Sequence, residues 1–126
     1  MIDHLDHIVL TTKDKERCIA FYVDLLGMQL ETFGEGRVAF KFGAQKINLH
    51  EYGKEFLPKA QQPTPGSLDL CFISSIPLDS VISRLVEKQW PIEEGPVMRI
   101  GAMYKIRSIY LRDPDRNLIE ISERAE

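Results

Sequence analysis

The chain has 126 residues, of which 44% are hydrophobic and 28% are charged, and its formal net charge is −3. These values are typical of a soluble domain that forms a hydrophobic core without disulfides or a structural metal. The lack of a lysine and arginine cluster argues against nucleic-acid binding, and no apolar run reaches the roughly 20 residues that a membrane-spanning helix requires. We therefore expect neither nucleic acid nor a membrane among its partners.

The two cysteines and the start of the chain indicate a cellular compartment. Cys18 and Cys71 lie within apolar patterns, and free cysteine is commonly buried, so both are predicted to be packing residues. Met1 is followed at once by acidic residues and His4, without the basic and apolar regions of a signal peptide. The sequence therefore predicts a reducing, cytoplasmic location.

The first half of the chain predicts one strand, one helix and three further strands. Residues 7–12 alternate as a strand, and Asp14 then stands at the N-cap position of a helix. Gly27 is suited to end that helix with a left-handed residue. The helix is indicated by an apolar stripe at helical spacing, consisting of Cys18, Phe21, Tyr22, Leu25 and Leu26. The predicted strands that follow are about 28–33, 37–42 and 45–52.

The second half repeats this order after a connector. Residues 53–67 contain three prolines and two glycines and have no sustained period, so they predict a linker between two modules. Residues 69–73 alternate as a strand, and Pro77 stands at the start of a second helix. That helix is indicated by Leu78, Val81, Ile82, Leu85 and Val86. Three more strands are predicted near 91–93, 104–112 and 117–123.

An internal repeat of βαβββ units follows from this order. A shift of 62 residues aligns the first strand, from His7, with the strand from Asp69. A shift of 70 residues aligns Leu49 and His50 with Ile119 and Glu120.

The repeat predicts an α+β fold. We expect residues 1–126 to form a single domain of two tandem βαβββ modules, at about 4–53 and 67–123. Neither module alone covers its sheet on both faces, so the modules are predicted to form a concave, barrel-like mixed sheet with the helices outside.

Strand alternation also predicts a metal site. In each module the apolar side chains must face the helix, which leaves His7, His50 and Glu120 on the concave face together with Asp69. A lone histidine on a strand is more often a hydrogen-bonded structural residue. Two histidines and a carboxylate on one face, however, are the ligand set that suits a divalent transition metal with open coordination positions.

Three segments resemble a known family. Residues 6–28, 42–51 and 110–122 are similar to the vicinal oxygen chelate superfamily, which includes glyoxalase I, fosfomycin-resistance proteins, extradiol dioxygenases and bleomycin-resistance proteins. The small glyoxalase-domain-containing group of that superfamily is the most similar. One departure is Arg116, which stands where the family usually has glycine in a turn.

The resemblance implies a ligand set. It implies that His7, His50 and Glu120 are metal ligands, and that Asp69 is a fourth ligand or a residue that orients one. It also implies one divalent ion per site, either Zn, Ni, Mn, Co or Fe(II), and a homodimer whose sites lie within one chain or are shared between two.

Three functions agree with this pattern. The first is a glyoxalase-like lyase or isomerase that chelates a small oxygenated substrate and stabilises an enediolate-type intermediate, with Glu120 as ligand and catalytic base. The second is an Fe(II) dioxygenase, for which a set of two histidines and one carboxylate also suffices. The third is a resistance protein that binds a drug or metabolite without catalysis.

Overall fold

Two units, Met1–Ser67 and Leu68–Glu126, divide the chain in the computed structural model, which describes all 126 residues. Each unit contains one strand, one helix and three further strands in that order. The predicted repeat of βαβββ modules, and with it the α+β class, is confirmed. Strand pairing forms one open four-stranded sheet in each unit, where the sequence predicted a single barrel-like sheet.

The first unit is a mixed sheet with a short helical segment. Its strands are β1 (His7–Thr12), β2 (Gln29–Phe33), β3 (Arg37–Phe42) and β4 (Gln45–Glu51), and its helix α1 (Lys15–Ile19) continues as a π-helix over Ala20–Leu25. The order across the sheet is β1-β4-β3-β2. β1 runs parallel to β4, and the other neighbours are antiparallel. The predicted strands agree with these bounds to within one residue.

One face of this sheet is covered by the helical segment. The Asp14 carboxylate accepts a hydrogen bond of 3.1 Å from the Arg17 amide, so the predicted N-cap is confirmed. The buried ring of Tyr22 stacks on Phe40 of β3, with ring centroids 5.2 Å apart. Phe40 pairs with Ile47 of β4, so both side chains lie on the helix side of the sheet. The alternate residues lie on the other face, called the open face here because no helix covers it, although Ala39, Asn48 and His50 on it are buried.

The second unit has the same order. Its elements are β5 (Asp69–Ile73), α2 (Leu78–Glu87), β6 (Glu94–Ile100), β7 (Lys105–Arg112) and β8 (Leu118–Arg124). The sheet order is β5-β8-β7-β6, again with a parallel first pair and antiparallel neighbours. The fully buried hydrophobic side chains are Leu78 and Leu85 of α2 and Ile109, Leu111 and Ile119 of the sheet. They place the core between α2 and one sheet face.

The position predicted for β6, near 91–93, is wrong. The strand spans Glu94–Ile100 and includes Pro96, which lacks the N–H group that a ladder requires. β6 is an edge strand, and its register with β7 shifts between Glu94 and Val97. A bulge in an edge strand accommodates proline, so Pro96 is tolerated here.

Arg107 anchors α2 to the sheet. Its guanidinium lies 3.1 Å from Asp79 of α2 and 3.3 Å from Glu123 of β8. Glu123 also accepts a hydrogen bond of 2.7 Å from the amide of Leu78. This bond caps the helix, because the side chain of the preceding Pro77 has no polar group that could do so. Arg107 therefore has a structural role in this unit.

The cysteines differ in environment. Cys18 is fully buried as predicted, but Cys71 is exposed. Cys71 lies on the sheet face opposite α2, which explains why an apolar sequence context did not lead to burial. Neither thiol forms a disulfide, and no helix is long and apolar enough to cross a membrane.

The turn before β8 is built on two buried polar residues. Asp113 accepts hydrogen bonds from the amides of Asp115 and Asn117, at 3.0 and 2.9 Å, and from the Asn117 side chain at 2.8 Å. Asn117 in turn accepts one of 2.9 Å from the amide of Leu68. Within this turn Arg116 has a φ of 73°, the left-handed region that favours glycine.

We expect Arg116→Gly to raise the free energy of unfolding by roughly 0.5 to 1 kcal/mol, because glycine removes the steric cost of the left-handed conformation. Urea unfolding monitored by circular dichroism measures this change. Arg116→Ala is the matched control, since it removes the same side chain but keeps the strained backbone. An equal gain in both variants would contradict a backbone origin.

Candidate metal and ligand site

His7 begins β1 and is held by its neighbour. Its Nδ1 lies 2.8 Å from the Asp6 carboxylate, and its side chain is 44% exposed. The hydrogen bond with His7 is the main cause of a lowered pKa of Asp6. A histidine whose Nδ1 is bound by a carboxylate has its Nε2 free and fixed in direction, which is the usual arrangement behind a metal-binding imidazole.

His50 lies near the end of β4 in a buried environment. It is only 4% exposed, and its ring makes an edge contact with Phe56 at 5.7 Å between centroids. Burial lowers the pKa of His50, the nearby Arg37 lowers it further, and Glu55 partly opposes both. At neutral pH the imidazole is therefore uncharged, the form that binds a metal or accepts a hydrogen bond.

The strand register separates the two histidines. His7 pairs with Lys46 and Thr11 pairs with His50, so His7 and His50 share one sheet face but lie four positions apart along the strands. At about 3.3 Å per residue, this corresponds to roughly 13 Å along the strand direction. Two imidazoles at that separation reach a common ion only if both extend fully toward each other.

Asn48 lies between them and was not predicted. It pairs with Val9 of β1, on the same face as His7 and His50. The residue is 6% exposed, and its Oδ1 atom is buried without any hydrogen-bond partner. A buried, unpaired acceptor is costly, so this oxygen is suited to a group from outside the chain.

The register also corrects the internal alignment. The shift of 62 between β1 and β5 agrees with the pairing, but β4 and β8 correspond at a shift of 72, not 70, because Lys46 pairs with His7 and Leu118 with Asp69. Glu120 is therefore the counterpart of Asn48, and His50 is the counterpart of Ser122. The signal in the sequence was the apolar, polar, apolar triplet that Ile47–Leu49 shares with Ile119–Ile121.

Glu120 lies in a cavity of the second unit. The cavity has a volume of about 420 Å³ on the open face of the sheet. The backbone positions of Asp69 and Glu120 share this face, since Asp69 pairs with Leu118 and Cys71 pairs with Glu120. The cavity is lined by Cys71, Ile73, Arg99, Ile100, Gly101, Ala102, Ile106, Tyr110 and Glu120.

Hydrogen bonds connect the polar groups around Glu120. Ser122 Oγ lies 3.4 Å from the Glu120 carboxylate, 3.4 Å from the Cys71 sulfur and 2.6 Å from Ser108 Oγ. Partial burial of the sulfur raises the pKa of Cys71, the hydrogen bond with Ser122 partly opposes this, and the adjacent Glu120 charge raises the pKa further. The thiol therefore stays protonated at neutral pH, and it is not an activated nucleophile.

The loop between β6 and β7 borders this cavity. Gly101 and Ala102 line it, whereas Met103 is 82% exposed. Tyr110 lines the cavity, and its hydroxyl accepts a hydrogen bond of 2.9 Å from Arg99. Tyr104 instead lies under the Arg124 guanidinium at 4.0 Å.

The predicted ligands are distributed over both units. His7 and His50 belong to the first, and Asp69 and Glu120 belong to the second. No group of three or more His, Cys, Asp or Glu side chains in the chain is arranged to hold a metal ion. The metal-binding role of these four residues remains a prediction.

We expect Arg37→Gln to raise the pKa of His50 toward its ordinary value of 6.5, because the nearby positive charge is removed. Arg37→Lys keeps a charge and should keep most of the lowering. An NMR titration of the His50 ring protons measures the pKa of His50 in both variants. The stability contributed by neutral His50 is lost as pH falls through and below about 6.5, so this loss should shrink in Arg37→Gln. An unchanged pKa would contradict the contribution of Arg37.

Comparison with known proteins identifies relatives along the whole chain. A family model described as the Glyoxalase/Bleomycin resistance protein/Dioxygenase superfamily matches residues 4–121. A protein named Virulence protein STM3117, from Salmonella typhimurium, is 54% identical over 123 residues, which are 98% of this chain and 85% of the relative. Its crystal structure has a TM-score of 0.97 and covers 99% of both chains.

Other relatives differ in how much they share. A glyoxalase domain-containing protein, RDO1 of Mycosarcoma maydis, is 52% identical over 94% of this chain and 66% of its own length. A lactoylglutathione lyase from Agrobacterium tumefaciens has a TM-score of 0.75 at 23% identity, covering 98% of this chain and 95% of its own. TnmS3, an antibiotic-binding protein from Streptomyces, has a TM-score of 0.77 at 22% identity and covers 98% of both chains. The last two show a shared fold only.

Proposed function

The chain belongs to the Glyoxalase/Bleomycin resistance protein/Dioxygenase superfamily, and from that premise we propose that it is a metal-dependent, glyoxalase-like lyase or isomerase. Membership confirms the resemblance seen in the sequence. The observation that carries the proposal is Glu120, a carboxylate lining a cavity of about 420 Å³ on an open sheet face. One relative is named for a glyoxalase domain, and a lactoylglutathione lyase has the same fold.

The chemistry of the donors supports one divalent ion. His7 has a free Nε2 because its Nδ1 is the atom that contacts Asp6. Glu120 supplies a carboxylate, and Asp69 lies on the same sheet face as Glu120. The further donor comes from β4, where the sequence pattern favours His50 and the register favours Asn48. When bound, the ion acts as a Lewis acid that stabilises negative charge on two neighbouring substrate oxygens.

Glu120 is the proposed proton carrier. Its carboxylate is within 3.4 Å of the Ser122 hydroxyl, which hydrogen-bonds onward to Ser108. This network orients the carboxylate while leaving it in contact with the cavity. A carboxylate placed in this way takes a proton from a substrate carbon and returns it to a neighbouring position, which is the requirement of an isomerase or lyase.

We further propose a cytoplasmic homodimer. The two free thiols agree with a reducing compartment. β1 and β5 are edge strands of their sheets, and they expose apolar side chains, with Val9 41% and Ile73 60% accessible. Exposed edge strands with apolar side chains are suited to association with a second copy.

Sedimentation velocity should give about twice the chain mass of 14.5 kDa.

Metal content tests the catalytic proposal. After reconstitution with Mn, Fe, Co, Ni and Zn, we expect about one ion per chain in the wild type by plasma mass spectrometry. His7→Ala and Glu120→Ala should retain less than about a tenth of it, because each removes a donor. His4→Ala is the matched control, since His4 is the third histidine and is likewise paired with the aspartate before it.

The same measurement on Asn48→Ala and His50→Ala identifies the donor from β4, since only the variant that lacks this donor loses the ion. An isomerase assay and oxygen consumption with Fe(II) then separate a glyoxalase-like enzyme from a dioxygenase. Well-folded wild type that takes up no ion would overturn the catalytic proposal. It would favour the alternative, a binding protein with the fold of TnmS3.

A further inference from the structure

Arg37 is an arginine without a counterion. It begins β3 and is only partly exposed. Its guanidinium carbon lies 4.9 Å from the ring centre of Phe33 and 4.7 Å from that of Phe56. These cation–π contacts hold the group in place, but it makes no hydrogen bond or ion pair with any residue of the chain. All five of its N–H donors are therefore free for a ligand.

Other arginines of the protein contrast with it. Arg99, Arg107 and Arg112 each lie within 3.6 Å of at least one carboxylate oxygen. Pairing of this kind is the ordinary way in which a partly buried guanidinium is stabilised. A guanidinium held by two aromatic rings with its donors unused is instead suited to recognising a planar oxyanion from outside the chain.

A second cation lies beside the same ring. The Lys46 ammonium is 4.1 Å from the ring centre of Phe33 and takes part in no ion pair. Lys46 and Arg37 are on adjacent strands of one sheet, and both contact this ring. Two cations against one aromatic ring raise the local positive potential, which favours an anion over a neutral group.

The unpaired oxygen of Asn48 is a second unsatisfied polar group of the first unit. As an acceptor it takes a hydrogen bond from a donor group of a ligand, and it does not contact the oxyanion itself. Asn48 pairs with Ala39, two residues from Arg37 on β3, so the two residues share the open face. Its buried Oδ1 has no partner in the chain. This face of the first unit therefore contains both unused donors and an unused acceptor.

We propose that Arg37 and Lys46 form a binding site for an oxyanion group, a carboxylate or a phosphate or phosphonate, of a small ligand. Where the proposal concerns the substrate, it rests on the proposed function, because it states that the substrate of that enzyme is an anion. Binding of the anion itself requires no metal, because the two cations and the aromatic rings belong to the first unit alone.

Titration of metal-stripped protein tests the site. Methylphosphonate and acetate are the probes, acetamide is the neutral control, and the readout is the NMR signal of the Arg37 Nε–H group and the β3 amides. We expect saturable shifts with at least one anion and none with acetamide. Arg37→Gln should weaken binding at least about tenfold, because a charge-assisted, two-point contact is lost. Comparison of the two anions identifies the preferred oxyanion.

Two further variants make the outcome decisive. Arg17→Gln removes one positive charge from the exposed side of α1, on the other face of the sheet, and should change binding less than about twofold. Arg37→Lys keeps the charge and should still weaken binding severalfold, which also tests the site if Arg37→Gln does not fold. Absence of saturable shifts, or equal weakening by Arg17→Gln, would overturn the proposal.

The same titration on Glu120→Ala keeps this proposal separate from the metal site. We expect unchanged anion binding in that variant, whether or not the wild type takes up metal. Loss of anion binding in Glu120→Ala would overturn the assignment to the first unit. Failure to bind metal, with anion binding intact, would leave an anion-binding protein in place of an enzyme.

Discussion

Packing of one helical segment against one face of each sheet is the constraint on which the other features depend. Tyr22 on Phe40 in the first unit, and Leu78 and Leu85 of α2 in the second, bury every other side chain of the strands. The residues between them are left on the opposite face, because side chains alternate along a strand. The polar groups of both candidate sites lie there for this reason.

The two open faces have different chemistry although the modules repeat. The first face has His7 at the start of β1 and Asn48 near the middle of β4. At the corresponding positions the second face has Asp69 in β5 and Glu120 in β8. Around these positions the first unit adds cations and aromatic rings, with Arg37 and Lys46 against Phe33. A duplicated framework has therefore kept its hydrophobic pattern while the open-face residues diverged.

The unsatisfied groups point to the functional face. Most polar side chains that the folds bury are paired, as in the network of Asp113 and Asn117 that leads into β8. Asn48 and Arg37 are exceptions, one a buried acceptor and the other a cation without a carboxylate. Because such groups destabilise a protein unless something else satisfies them, they are informative about what it binds.

The sequence by itself determined the repeat, both helices and the faces of the strands, because hydrophobic periodicity and the capping residue Asp14 are local signals. It also determined family membership. It misplaced β6, since tolerance of Pro96 depends on β6 being an edge strand. The counterpart of Glu120 was decided by the pairing of β1 with β4, which sets Asn48 in that position. The register pairs residues about forty positions apart in the chain, and no local pattern reports it. The tertiary structure alone therefore decided which residue of β4 corresponds to Glu120.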